Sequence, residues 1–134
     1  MSISIALDFQ AHMQSVLENT ESLSLLVKHI SHSVKPATKY PYIYHKFKNI
    51  SVSDDLRSGI YDVEYEVNIY SRDIQVSLLK RIIKTIENKI IKIEINAASF
   101  IVISSKISNY EIIPSNDLVT LRSKIIFFSS IKPR

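Results

Sequence analysis

The stretch DVEYEVNIYSRD, residues 62–73, alternates with almost no break. Together with the residue before it, it sets Tyr61, Val63, Tyr65, Val67 and Ile69 on one side of an extended chain. Asp62, Glu64, Glu66 and Asn68 fall on the other side. A period of two with one apolar and one acidic side is the pattern of a strand that covers a core with one face. Residues 40–52 alternate in the same way, with Ile43 and Phe47 on one face and Tyr42, Tyr44, Lys46 and Lys48 on the other. SDDLRSG, residues 53–59, supplies turn chemistry between the two, and its Gly59 is free to take a positive φ. Pairing the strands around that turn sets Lys46 opposite Glu66, Lys48 opposite Glu64, Phe47 opposite Tyr65 and Ile43 opposite Ile69. A slip of one residue would mix the two faces.

Helical spacing appears on both sides of this hairpin. Ile74, Leu78, Ile82, Ile86 and Ile90 recur every four residues, while Lys80, Arg81, Lys84, Glu87 and Lys89 lie mostly off that stripe. This predicts a helix capped by Ser71 or Asp73 and packed on the apolar face of the hairpin. Upstream, Ile5, Phe9, Met13 and Val16/Leu17 predict an amphipathic helix that Asn19 and Thr20 break. Thr20 can cap a second short helix carrying Leu23, Leu26 and Val27, and residues 31–39, with Pro36, read as a loop. Residues 100–112 and 118–131 predict a second hairpin, with PSND, residues 114–117, as its turn. The expected architecture is one α+β domain over residues 1–134 in the order ααββαββ. Its antiparallel sheet has about four strands in two hairpins, and its helices lie on one face.

Composition removes many functions. With 46% hydrophobic residues the chain has enough apolar material for a core. Cysteine is absent, so thiol catalysis and zinc–thiolate sites are excluded. A single glycine excludes glycine-rich phosphate loops, dinucleotide fingerprints and nucleophile elbows in their usual form. The formal net charge of +4 is spread along the chain, which favours solubility at least as strongly as contact with nucleic acid. The N-terminal stretch has no basic segment before its apolar residues, and Asp8 interrupts them, so no secretory signal is expected. Residues 90–103 are too short and too polar to span a bilayer.

Three groups of residues invite a functional reading. Asp62, Glu64 and Glu66 share a strand face and could gather a divalent cation. Lys46 and Lys48 opposite them favour a salt-bridged, solvated face instead. The only carboxylate with a lysine two residues on in the manner of a nuclease, Glu87-Asn88-Lys89, sits on a helix. His29 and His32 would share one side of a helix but have no acidic third ligand nearby, while His12 and His45 come from other elements. No order of Ser, His and Asp stands out. No catalytic residue, metal ligand or cofactor is therefore assigned. Tyr40, Tyr42 and Tyr44 with Lys46 and Lys48 could form a platform for single-stranded nucleic acid. They could equally form a protein interface, where tyrosine is enriched, and the interface is the preferred reading. IIFFSSI, residues 125–131, is apolar on both faces, so it is either central in the sheet or buried by another subunit. The candidate interface residues are Tyr42, Tyr44, Ile125, Phe127 and Phe128.

YPYIYHKF, residues 40–47, followed by YEVNIYSRD, residues 65–73, running into an amphipathic helix, resembles the tail completion or tail terminator proteins of long-tailed phages, prophages and gene transfer agents. Pro41-Tyr42-Ile43 and Tyr70-Ser71-Arg72 carry the match, and the order of elements extends it over nearly the whole chain. The sequence departs from the family in its lack of turn glycines. The resemblance implies a ring, usually hexameric, that caps the tail tube and joins it to the head connector. Its partners would be other copies of itself, the tail tube protein and the head connector protein. DNA would meet it only in passing through the ring. It implies a location in the virion tail, with the host cytoplasm before assembly, and no cofactor, membrane or catalytic residue. The residues themselves leave a rival open: a small nucleic-acid-binding α+β domain that uses the Tyr/Lys-rich strand.

Overall fold

The computed structural model describes residues 2–32, 39–52, 59–72, 76–91, 99–117 and 119–134. Its elements follow in the order α1 (Ser2–Glu18), α2 (Glu21–Leu26), β1 (His29–Ser31), β2 (Tyr42–Val52), β3 (Tyr61–Arg72), α3 (Val76–Ile91), β4 (Phe100–Pro114) and β5 (Thr120–Pro133). The strands form one sheet in the order β1-β2-β3-β5-β4. All neighbouring pairs are antiparallel except β1 and β2. The architecture is α+β with the helices on one face. The sheet has five strands rather than four, because His29–Ser31 adds a parallel edge strand. Three residues are too few for an alternating pattern to be read.

β3 lies at the centre, and its apolar side carries the core: Val63, Tyr65, Val67 and Ile69 are all fully buried. Lys46 pairs with Glu66, Phe47 with Tyr65 and Ile43 with Ile69, as the alternation requires. Lys48 does not pair with Glu64. A bulge after Phe47 takes Lys48 out of the ladder and sets Asn49 opposite Glu64. Gly59, at the end of the turn, has φ +64°. That left-handed conformation suits a residue with no Cβ.

α1 buries Phe9, Met13 and Leu17 and lies over β1 and β2. Phe9 meets Phe47, Tyr65 and Phe100 at ring separations of 5.7, 5.3 and 5.8 Å. This helix, rather than α3, covers the first hairpin. α3 runs along β4 and α2. Its buried stripe is Leu79, Ile82, Ile86 and Ile90, with Leu78 and Ile83 at its margins, so Leu79 takes the buried place that the i+4 series gives to Leu78. Thr20 does occupy the N-cap position of α2, but its hydroxyl donates to the Val16 carbonyl of the preceding helix (2.8 Å) and caps nothing.

Two turn assignments change. Ser71 is buried within β3, where its hydroxyl donates to the Leu121 carbonyl (3.4 Å), so it does not cap α3. Pro114 forms the last rung of β4, opposite Leu121. The turn rests instead on Asp117, whose carboxylate accepts from the backbone N–H of Val119 (3.0 Å) and Thr120 (2.8 Å) and from the Thr120 hydroxyl (2.6 Å). The hydrogen bonds from Thr120 hold its pKa below the usual carboxylate value. Pro36, turn residues 53–58, Asp73, Ile74 and Leu118 lie outside the described residues.

Candidate functional site

Side chains that alternate away from the core emerge on a sheet face that carries no helix. Glu66 lies at its centre and is only 5% exposed. Lys46 Nζ approaches its Oε1 to 3.8 Å; Arg122 Nη2 and Lys124 Nζ approach Oε2 to 3.5 and 3.8 Å. Lys124 also pairs with Glu111 at 3.5 Å. Asn68, fully buried beside Glu66, accepts from Arg122 Nε (2.8 Å) and donates to Glu66 Oε2 (3.1 Å) and the Tyr44 carbonyl (3.2 Å). Among the described residues, no helix or strand covers this group. The long Lys and Arg side chains of the flanking strands lie over it and take it out of water. The expected solvated acidic face is thus a buried ion cluster at Glu66. Asp62, which accepts from the Ser130 hydroxyl (3.0 Å), and Glu64 stay half-buried beside it. Among the described residues, no three His, Cys, Asp or Glu side chains come together in a way that could hold a metal ion.

The tyrosines of this face contact one another. Tyr42 stacks on Tyr70 with centroids 4.7 Å apart and planes 8° from parallel. Tyr40 lies 5.3 Å from Tyr42, and the Arg122 guanidinium sits 5.8 Å from the centre of the Tyr70 ring. Lys46 reaches toward Tyr44. Tyr70 and Arg122 are members of this surface that β2 alone could not reveal. The signal for Arg122 and Lys124 was their shared parity on β5.

β5 lies between β3 and β4, which explains why it is apolar on both faces. Ile125 and Phe127 belong to the chain's own core, 1% and 0% exposed. Phe128 points the other way and is 41% exposed. Of the five candidate interface residues, Tyr42, Tyr44 and Phe128 offer surface to a partner, and Ile125 and Phe127 do not. The exposed apolar side chains missed in the sequence lie mainly on β4: Ile101, Ile103, Tyr110, Ile112 and Ile113. Their only signal was the failure of IVISSKISNYEII, residues 101–113, to alternate cleanly. β4 forms an outer edge of the sheet along its whole length.

The histidines form no ligand set among the described residues. His45 is fully buried on the helix side of β2. Gln14 donates through Nε2 to the Ile30 carbonyl (2.9 Å) and to Glu18, so its Oε1 must accept from His45 Nε2 (2.6 Å). His45 Nδ1 is then the acceptor for the Tyr65 hydroxyl. This neutral tautomer is the buried form: burial, and then the charge on His32, push the His45 pKa down to about 4. His29 stands on β1 rather than on a helix, and the His32 ring lies 5.9 Å from that of His45. His12 meets Phe100 edge-on at 5.6 Å.

No family model matches the sequence, and no curated protein matches it. The fold does have a counterpart. It resembles a virion chain. A chain from the structure of the virion of a native gene transfer agent particle superposes with a TM-score of 0.68. The match covers 87% of this chain and 89% of that one at 10% sequence identity, so the likeness is one of fold.

Proposed function

We propose that this chain is a structural protein of a phage-like virion, of the tail terminator kind. In this reading several copies, usually six, close into a ring on the end of the tail tube and join it to the head connector. The observation that carries the reading is the fold likeness to a gene transfer agent virion chain over nearly the whole length of both. The motifs of residues 40–47 and 65–73 supply the narrower tail terminator assignment. Exposed apolar residues on an edge strand support self-association, because soluble monomers rarely leave such an edge open. The protein would work as a scaffold in the virion, reached from the host cytoplasm during assembly, and DNA would pass through the ring without being held.

The rival reading draws no support from the geometry. The rings of Tyr42 and Tyr70 are stacked on each other, and Lys46 is drawn to Glu66, so β2 does not present a free aromatic and basic platform. The test is deletion of the gene from a cluster that makes whole particles, followed by electron microscopy. Tails of irregular length, or tails without heads, are expected. Tails of normal length joined to heads would sink the terminator assignment.

A further inference from the structure

The two outer edges of the sheet are unequal in cover but matched in level. Among the described residues, β1 pairs with β2 only from Tyr42 to Tyr44, which leaves the backbone edge of residues 46–52 open. On the far side, no described strand pairs with the outer edge of β4. The ladders across the sheet relate the two edges. Val52 is level with Val102 through Tyr61 and Ile131, and Phe47 is level with Ile107 through Tyr65 and Phe127. The open part of β2 and residues 102–107 of β4 therefore lie at one height. At the height that β1 occupies, β4 has Glu111, Ile112 and Ile113. β4 carries two bulges: one between Val102 and Ser104 lies inside the first zone, and one between Ile107 and Asn109 falls at the boundary between the two zones.

We infer that the second copy of this chain docks by sheet extension, with residues 102–107 of its β4 pairing against residues 47–52 of β2. This rests on the ring reading above and names the seam of that ring. Three observations argue for it. The strand directions make the junction antiparallel: β2 and β5 run one way, β3 and β4 the other. The facing residues also agree. On the helix side, Phe47 is level with Ile107 and Val52 with Val102, apolar against apolar, while Ile50 is level with Ser105. Phe47, Ile50, Val102 and Ile107 pack on the margin of the core. On the open side, Asn49 meets Lys106 and Ser51 meets Ser104 at the same levels. Docking would carry the core across the junction and leave polar residues on the outer face. Finally, pairing at equal height is rotation without translation along the strands. Head-to-tail contacts of that kind close into a ring when the rotation per copy divides the circle, whereas a shifted register adds a rise and winds into a filament.

The chain has no cysteine, so an introduced pair reports on this contact alone. Ser51 and Ser104 are both exposed and level. The variant Ser51→Cys/Ser104→Cys, folded by thermal melting and expressed with the whole gene cluster, should give a ladder of covalent multimers on a non-reducing gel. Asn49→Cys/Lys106→Cys should do the same one rung away. Each single variant should stop at a dimer or stay monomeric. A control pair two zones apart, Ser51→Cys/Ile112→Cys, should give no ladder. Monomer only from both level pairs, in cells where deleting the gene does disturb the tails, overturns the seam and leaves the terminator assignment standing. A ladder in cells where deletion leaves the tails unchanged keeps the seam and removes that assignment.

Discussion

The two faces of the sheet bury polar groups in opposite ways. On the helix side, His45, Tyr65 and Gln14 form a neutral chain of hydrogen bonds inside an apolar layer. On the other side, Glu66 is buried as an ion among three cations with no layer above it. Tyr65 and Glu66 are adjacent in sequence and separated by the thickness of one strand. The neutral group is sealed by helix α1 and so must stay neutral. The ionic group is covered by its own partners and can keep its charge, because those partners reach water. A buried polar group thus survives either by shedding charge or by carrying its counter-ions with it.

The comparison can be broken most severely on the helix side. Ile82 is fully buried beneath α3, and Ile82→Ala should cost about 2–5 kcal/mol in chemical denaturation. An unchanged midpoint would mean that α3 does not seal this face. The next effect is acid sensitivity. The folded His45 pKa of about 4 lies below the unfolded value of about 6.5. The unfolded chain therefore binds the proton first, and stability falls as pH drops from 6.5 toward 4. The expected slope is about 1.4 kcal/mol per pH unit from this residue. Denaturant midpoints measured across that range should fall less steeply in His45→Gln; an equal slope would place the titration elsewhere.

On the open side, Glu66→Gln removes the charge that holds Lys46, Arg122 and Lys124. A fully buried pair would cost more, but the Lys46 and Arg122 side chains are 43% and 29% exposed and can turn to water. A loss of about 1–3 kcal/mol is expected, shrinking with added salt. The smallest effect belongs to Glu64→Gln, within about 0.5 kcal/mol, because no cation pairs with Glu64 among the described residues. Equal losses from the two variants would erase the distinction between a buried ion cluster and a wet acidic row.

The sequence disclosed β3 and its register because alternation states which side is buried. It could not disclose that Glu66 and Asn68 are buried too. That depends on Arg122 and Lys124, more than fifty residues away, arriving on the neighbouring strand. The bulge at Lys48 did leave a trace: the apolar parity set by Ile43 and Phe47 switches to Ile50 and Val52 across it, which unbroken alternation cannot put on one face. β1 is too short to carry a period. The assignment of α3 to the first hairpin failed because two amphipathic helices compete for one apolar face. Nothing in either stripe says which wins. The outward-facing residues were partly legible: Phe128 and the tyrosines alternate away from the core and Ile125 and Phe127 into it, whereas the exposed apolar residues of β4 became apparent only once its place at the rim was known.

Each rung between β3 and β5 joins residues separated by all of α3 and all of β4: Arg72 with Thr120 at one end, Tyr61 with Ile131 at the other. Both hairpins can close from local contacts, but the core exists only once these distant strands meet. Such pairing imposes its loop-closure entropy before any core contact compensates it. Formation of the β3–β5 rungs is therefore expected to be slow relative to closure of either hairpin. Until that meeting, each hairpin presents an additional raw strand edge to every other newly made copy. If copies join edge to edge as inferred above, the order in which the chain's own edges are sealed decides whether assembly or clumping follows.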